Sequence, residues 1–337
     1  MKKSIKNSNK KPFNIIYIEE KALDYPITNQ LLKRYSDCNI LKIKHYKDVF
    51  NRPNQHFEIQ KKKQSLILAV KSKPFLYKGP KVCQSFGYDN FYYSSLLLNC
   101  IFNCEYCFLK GMYPSANLVA FVNTEDFKIE LTKALSDTPS LLALSYDTDL
   151  IAFNNVIPYI EYFYDFFVQN QNISVEIRTK SANEIFYKKY TPSKNIIIAF
   201  SLSPKEIINK YEKMTPSLNS RINAINTAIE NGFQVRLCFD PVFIHPELDL
   251  LYEPFYKYVF ERIDSKKIID IGHGFFRIPK SFFKRIEKNN SNSQLFSEDY
   301  CVIDDVVSYP IELQEEVKVK HIKVLTRFIE KEKLFFY

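Results

Sequence analysis

The stretch Asn99-Cys100-Ile101-Phe102-Asn103-Cys104-Glu105-Tyr106-Cys107-Phe108 decides how the rest of this chain is read. Cys100, Cys104 and Cys107 follow a C-x-x-x-C-x-x-C spacing, with an aromatic directly before the last cysteine. Three thiolates on one tight loop can hold three irons of a four-iron cluster and leave the fourth iron open to bind and cleave a ligand, whereas a cluster with four cysteine ligands mainly transfers electrons. A structural zinc site wants four ligands, usually as two close pairs, and no second C-x-x-C or H-x-x-x-H pair occurs in the 337 residues. Disulfides are disfavoured, because the cysteines number seven and no charged start leads into an apolar secretory core. Cys38, Cys83, Cys238 and Cys301 are scattered, so each is by default a buried small hydrophobe. The expected setting is reducing and cytoplasmic.

Downstream of the loop, apolar β-rich runs alternate with helical ones. The strand-like runs are Ser94 to Leu98, Leu141 to Leu144, Ser174 to Arg178, Ile196 to Ser201, Gln234 to Phe239 and Ile268 to Gly272. Six strands alternating with helices imply parallel βα units and an α/β fold. Thr215 is placed to cap a helix with Pro216 at its first position, Leu218, Ile222, Ile225 and Ile229 on one face, and Gly232 as its stop. Ser203-Pro204-Lys205-Glu206 reads as a capping box, and residues 125–135 and 155–168 have the same helical character.

Each run ends in chemically capable residues. The first leads into the three cysteines; the second into Ser145, Tyr146, Asp147, Thr148 and Asp149; the third into Arg178, Thr179 and Lys180. Ser201 and Ser203 follow the fourth, Asp240, Pro241 and His245 the fifth, His273 and Arg277 the sixth. Parallel barrels carry their active sites at the carboxyl ends of the strands, so these six groups are expected at one mouth.

Composition suits an enzyme with a sizeable core, at 46% hydrophobic and 15% aromatic. No apolar run approaches the roughly 20 residues of a membrane span. The net charge is +9, a balance that favours a polyanionic partner without requiring one. Between Ile59 and Tyr88 stand Lys61, Lys62, Lys63, Lys71, Lys73, Lys78 and Lys81 with no Asp or Glu, and Phe75, Tyr77, Phe86, Tyr88, Phe91, Tyr92 and Tyr93 lie close by. Such a stretch can neutralise phosphates and stack on unpaired bases, or it can be a solvated lysine face beside core rings. His45, His56 and His321 show no partner pattern, and His245 and His273 read as structural.

The cysteine spacing resembles that of radical S-adenosylmethionine (SAM) enzymes, and the chain as a whole resembles the spore photoproduct lyase family. The resemblance runs from Ile16-Tyr17-Ile18-Glu19 and Ala22-Leu23-Asp24-Tyr25-Pro26-Ile27 through the cysteine loop and Val119-Ala120-Phe121-Val122-Asn123. It continues through Arg178-Thr179-Lys180, Phe200-Ser201-Leu202-Ser203, and Glu212-Lys213-Met214-Thr215-Pro216-Ser217 with Arg221. It implies a partial (β/α)6 TIM-like barrel with a small N-terminal α/β extension. The expected organisation is a disordered basic tail over 1–12, an α/β subdomain over 13–90, the barrel over 91–290, and a C-terminal extension with a closing helix over 291–337.

The resemblance further implies a lyase that uses a [4Fe-4S] cluster and SAM to generate a 5′-deoxyadenosyl radical and reverse a thymine dimer in DNA, drawing electrons from a flavodoxin or ferredoxin. Cys100, Cys104 and Cys107 correspond to the cluster ligands, Thr148 and Asp149 to a Ser-Asp pair near SAM, Lys180 to a SAM-contacting lysine and Ser201 to a ribose-side serine. The sequence departs from the family in three places. Tyr146 stands where well-known members have the cysteine that returns hydrogen to the substrate radical, and Phe108 stands where a tyrosine is usual. Residues Ser297 to Pro310, with Glu298, Asp299, Asp304 and Asp305, replace a Gly, Arg and Tyr rich hairpin that wedges into the duplex. Tyr146, Cys83 or a different chemistry then accounts for hydrogen return. The rivals are the same scaffold acting on another lesion, an RNA or a peptide, and a non-catalytic iron-sulfur or zinc protein that binds nucleic acid.

Overall fold

Alternation of buried strands with amphipathic helices gives the parallel sheet that the sequence implies. The computed structural model describes residues 13–135, 137–244, 246–290 and 293–337. The tail over 1–12 and His245 lie outside the described residues. Two compact units divide the chain: one runs up to Lys71 and includes Pro114–Asn123, the other comprises Ser72–Tyr113 and Thr124–Tyr337.

In the first unit, strands Asn39–Ile43, Ile15–Glu19, Leu66–Ala69 and Leu118–Phe121 pair in that order, all parallel. Leu66–Ala69 and Leu118–Phe121 are buried along their whole length, as expected of parallel strands covered on both faces. Glu19, 1% exposed, ends its strand by accepting the backbone N–H groups of Tyr46 at 2.8 Å and Val70 at 2.9 Å.

The second unit holds the partial barrel. Its parallel strands are β1 (Asn90–Tyr93), β2 (Ser140–Ala143), β3 (Ile173–Thr179), β4 (Ile196–Ser201), β5 (Gln234–Val242) and β6 (Ile268–Phe275), each paired with the next. Tyr77–Lys78 adds antiparallel to β1, and Leu334–Phe336 adds parallel to β6, so these two short strands form the sheet's edges. β1 lies just upstream of the expected run: of Ser94 to Leu98, only Leu97–Leu98 is extended. Leu96, Leu97 and Leu98 are buried, and a short buried apolar run does not reveal by itself which strand it belongs to.

Helix starts differ from the expected caps because the hydroxyls are used elsewhere. The helix Leu218–Glu230 is capped by Ser217, whose hydroxyl accepts the Ser220 N–H at 3.2 Å. Thr215 instead donates to the Glu212 carbonyl at 2.7 Å. Leu218, Ile222, Ile225 and Ala228 form the buried face, and Gly232 ends the element at a φ of 84°. Before Lys205–Tyr211 the cap is Pro204, with no side-chain cap bond, and Ser203 turns to Glu212 at 3.1 Å.

The C-terminal helix Ile311–Leu325 buries Val317, His321, Val324 and Leu325. It lies against the helix Pro246–Phe260, with Phe328 stacked on Phe260 at 5.0 Å and Arg327 donating to Glu253 at 2.6 Å. His321 has partners the sequence did not suggest: its Nδ1 lies 2.8 Å from His273 Nε2 and 2.9 Å from the Tyr256 hydroxyl. Among the described residues, no helix is long and apolar enough to cross a membrane.

Candidate active site

All six strand ends send residues into one cavity of about 440 Å³, within the usual range for small-molecule sites. Cys83, Cys100, Cys104, Cys107, Tyr146, Thr148, Asp149, Lys180 and Ser201 line it together. The sequence pattern therefore locates a real convergence. Three of the described strand-end residues turn elsewhere: Asp147 accepts from the Ser95 hydroxyl, Ser203 turns toward Glu212 and His273 toward His321.

The cysteine loop is fastened from behind. Asn103–Cys104 pairs antiparallel with Glu212–Lys213, and Glu105 N–H donates to the Tyr211 carbonyl at 2.7 Å. The Glu212 carboxylate accepts from the Tyr106 hydroxyl, from Ser203 at 3.1 Å and from Arg221 at 2.5 Å. Glu212 and Arg221 side chains are both 0% exposed. Arg221 also donates to the Ser201 carbonyl at 3.0 Å, the Pro216 carbonyl at 3.1 Å and the Thr215 hydroxyl at 2.7 Å. Tyr106, inside the cysteine motif, is thus tied to a buried ion pair that also grips the end of β4.

Burial pushes the Cys104 thiol well up, Lys180 pulls it back, and Glu212 with the other two loop cysteines adds to the rise. A buried thiol of this kind becomes a ligand by exchanging its proton for a cation. Among the described residues, no three His, Cys, Asp or Glu converge tightly enough for a single ion. Three soft sulfurs lining one mouth suit a cluster in which each cysteine serves its own iron.

Beside the loop, Asp149 is committed to the scaffold. Its carboxylate accepts the Ala152 N–H at 2.9 Å, the Thr179 hydroxyl at 2.8 Å and the Lys180 N–H at 2.7 Å. It caps the short helix Leu150–Phe153 and fixes the backbone on which Lys180 stands. Thr148 Oγ1, in contrast, is a buried oxygen with no partner among the described residues on the cavity wall, and an unpaired buried hydroxyl is costly unless a ligand meets it. Burial opposes the charge on Lys180, but Glu212 and Cys104 outweigh it and hold the ammonium above its ordinary range. An orphaned hydroxyl, a retained cation and three thiols form a donor set that fits a cluster with a bound zwitterionic ligand.

On the opposite wall the Tyr146 ring sits between Tyr93, 4.3 Å away centre to centre, and Phe108, 5.4 Å away. Cys83 shares that cavity with it, and each group influences the other's titration. Burial pushes both groups up, although Arg277 and Arg178 draw Cys83 partly back. At neutral pH both keep their hydrogens.

A charged network that sequence reasoning left without a role reaches the cavity wall through Arg178, Asp240 and Arg277. Arg178 donates to Glu176 and to Asp240, each at 3.1 Å. Arg277 donates to Asp240 at 3.0 Å, and the Tyr337 hydroxyl donates to Asp240 at 2.8 Å. Arg236 joins Glu176 to Asp270 at 2.5 Å on each side. Arg178, Asp240 and Arg277 carried a signal, since they end strands. Tyr337 carried none. In the basic stretch the rings serve packing: Phe75 and Phe86 are buried and Tyr77 stacks on Tyr93 at 5.0 Å, while Lys78 and Lys81 are exposed.

Comparison with known proteins matches this geometry. The family model described as spore photoproduct lyase covers residues 12–299. Among curated proteins, the spore photoproduct lyase of Bacillus subtilis (strain 168) is 21% identical over 295 residues, 83% of each chain. That of Clostridium acetobutylicum is 22% identical over 268 residues, 76% of each chain. A solved spore photoproduct lyase mutant shares the fold with a TM-score of 0.82 at 16% identity, covering 97% of this chain and 99% of its own. A second mutant, solved with bound AdoMet and dinucleoside spore photoproduct, scores 0.81 at 17% identity over the same shares. The cysteine loop, the barrel and the family match agree, and the chain belongs to the spore photoproduct lyase family of radical SAM lyases.

Proposed function

We propose that this protein binds a [4Fe-4S] cluster and SAM and reverses the thymine dimer known as spore photoproduct in damaged DNA, with electrons from a flavodoxin or ferredoxin, in the cytoplasm. The observation that carries the reading is the single cavity shared by the three loop cysteines, Thr148, Lys180, Ser201, Tyr146 and Cys83. All seven cysteines are free, which suits a reducing compartment.

When bound, the cluster and SAM supply a carbon-centred radical able to take hydrogen from an unactivated carbon. Cys100, Cys104 and Cys107 would hold the cluster. Lys180 would meet the ligand's negative charge as a compact cation, Thr148 would donate or accept one hydrogen bond, and Ser201 would serve the ribose. Asp149 acts through others, by holding the Lys180 backbone. The apolar rings of Tyr93, Phe102, Phe108, Phe276 and Phe282 along the wall exclude water and stray hydrogen donors. Cys83 returns a hydrogen atom to the substrate carbon, its S–H bond breaking as the C–H bond forms, and the Tyr146 hydroxyl is the adjacent hydrogen source. Both groups suit that task because burial keeps them protonated. The lesion leaves the helix to reach them, at a cost of a few kcal/mol that damage lowers.

One observation favours a second reading, the same chemistry on another lesion, an RNA or a peptide. Strand Arg277–Pro279, which sends Arg277 and Pro279 into the cavity wall, pairs with Val306–Ser308 and through it with Cys301–Ile303, and the hairpin tip between them is Asp304-Asp305. The test is anaerobic incubation of reconstituted protein with SAM, dithionite and lesion-bearing DNA, followed by product mass. Two restored thymines are expected. SAM cleaved to 5′-deoxyadenosine with the lesion untouched would select the second reading, and no SAM cleavage would defeat both.

A further inference from the structure

The segment that carries Cys83 has no regular structure between Lys78 and Asn90, yet its neighbours hold it at several points, and those points converge on the C-terminal residues. The Val82 carbonyl accepts Arg277 Nε at 2.6 Å. Arg277 reaches Asp240 at 3.0 Å and lies over the Tyr337 ring at 4.4 Å. The Tyr337 hydroxyl donates to the other Asp240 oxygen at 2.8 Å, and its N–H donates to the His273 carbonyl at 3.1 Å. Gln84 donates to the Phe336 carbonyl at 3.4 Å. Phe86 meets Phe335 edge-on at 5.3 Å, and the Arg236 guanidinium lies over its ring at 3.2 Å.

Two further features point to a built arrangement. The chain has only six glycines, and two of them clear space here on β6. A Cβ at Gly272 would lie 2.9 Å from the Phe86 ring and 3.3 Å from the Tyr337 hydroxyl; one at Gly274 would lie 2.5 Å from Arg277 and 2.9 Å from the Tyr337 ring. Phe86 also adopts a left-handed φ of 52°, which a bulky side chain holds only when its surroundings fix it.

We propose that Tyr337 is a positioning residue for hydrogen return: through Asp240 and Arg277 it fixes Val82, and with it the Cys83 thiol, on the cavity wall beside Tyr146. The catalytic consequence rests on the reading of Cys83 as the hydrogen donor. Atom transfer depends steeply on how closely donor and acceptor are held, and misplacement by about 1 Å can cost on the order of a hundredfold.

Tyr337→Phe keeps the ring and loses the hydroxyl; Tyr337→Ala loses both; Cys83→Ala is the reference. The first readout is the rate at which iodoacetamide alkylates Cys83 in the anaerobic, cluster-loaded protein, mapped by mass spectrometry. The rate is expected to rise about tenfold in Tyr337→Ala and by less in Tyr337→Phe. The second is repaired thymine per SAM cleaved, expected to fall about tenfold in Tyr337→Ala, with products of an unquenched substrate radical appearing. Unchanged alkylation and an unchanged repair ratio in Tyr337→Ala, with repair lost in Cys83→Ala, would overturn the proposal. So would parallel loss of SAM cleavage and repair in Tyr337→Ala with Tyr337→Phe at parental values, the pattern of a general packing defect. If Cys83→Ala repairs as well as the parent, the donor reading fails instead, and the alkylation rates show that separately.

Discussion

Arg221→Ala strikes the support of the cysteine loop without touching the cavity wall. The guanidinium makes four hydrogen bonds, to Glu212, Thr215, Ser201 and Pro216, and both members of the ion pair are 0% exposed. Removing the cation strands a carboxylate that has no water to turn to, a change that costs about 3–5 kcal/mol. For a domain of this size each kcal/mol shifts the melting temperature by about 2–4 °C, so a fall of about 6–20 °C follows. Because Glu212 backbone pairs with Cys104, iron loading per chain should fall as well. The effect should also depend on pH. Burial raises the Glu212 carboxyl, but Arg221 and Lys180 outweigh it and hold it below its ordinary range. A depressed carboxyl gives stability above the unfolded-state value that is lost as pH falls through the folded one. The deficit of Arg221→Ala is therefore largest near neutrality and narrows in acid, where the stranded carboxyl takes up a proton. Thermal unfolding of the cluster-free protein at pH 8 and pH 5, with absorbance of the reconstituted cluster alongside, measures both. A melting temperature within about 2 °C of the parent at pH 8 would refute the reasoning.

Lys180→Ala should weaken SAM binding about tenfold, the loss of one charge-assisted hydrogen bond, while cluster absorbance stays; equal affinity by equilibrium binding would remove the lysine from the site. Asp240 is pushed up by burial but held by Arg277 and Arg178 at about 2, so its contribution is full above the ordinary aspartate value and lost as pH falls toward 2. It amounts to about 2 kcal/mol, and urea unfolding of Asp240→Asn between pH 5 and 2 should show a flatter acid limb than the parent; parallel limbs would contradict the assignment. Replacing Asp304 and Asp305 together by Asn should raise duplex affinity by no more than about fivefold at low salt and leave it unchanged near 0.5 M, and a gain of a hundredfold by fluorescence anisotropy would show that the tip does more than repel.

The barrel was legible because buried parallel strands are continuous apolar runs and helices show an apolar stripe, so the alternation reads directly from Leu141 to Gly272. The site was legible for a related reason: in such a sheet the chemistry follows each strand, and Thr148, Lys180 and Ser201 stand there. What stayed hidden depends on contacts distant in sequence. Phe91 and Tyr92 belong to the first strand, yet the more apolar Leu96-Leu97-Leu98 beside them outweighs their signal, since burial alone does not specify pairing. Thr215 and Ser203 have the composition of caps, but Glu212 and Arg221 claim their neighbourhood. Tyr337 reaches Asp240 across 97 positions, and no local pattern announces such a contact.

The acidic hairpin shows how a magnitude decides between two readings. Asp304 and Asp305 have φ of 47° and 63°, the left-handed pair of a tight hairpin turn, which Asn, Asp and Gly adopt at least cost. Their presence at the tip therefore has a local backbone cause. Each carboxylate at about 8 Å from a phosphate in water repels it by about 0.5 kcal/mol, and that distance is already about one screening length at physiological salt. Two such charges cost about 1 kcal/mol, on a chain whose net charge is +9. Repulsion of that size slows or weakens an encounter with DNA but does not forbid it. An acidic tip does not itself favour duplex opening, so the lesion's own weak stacking must supply it there. Under the proposed function, selectivity then falls on the cavity, whose wall carries Cys83, Tyr146, Arg178, Asp240 and Arg277.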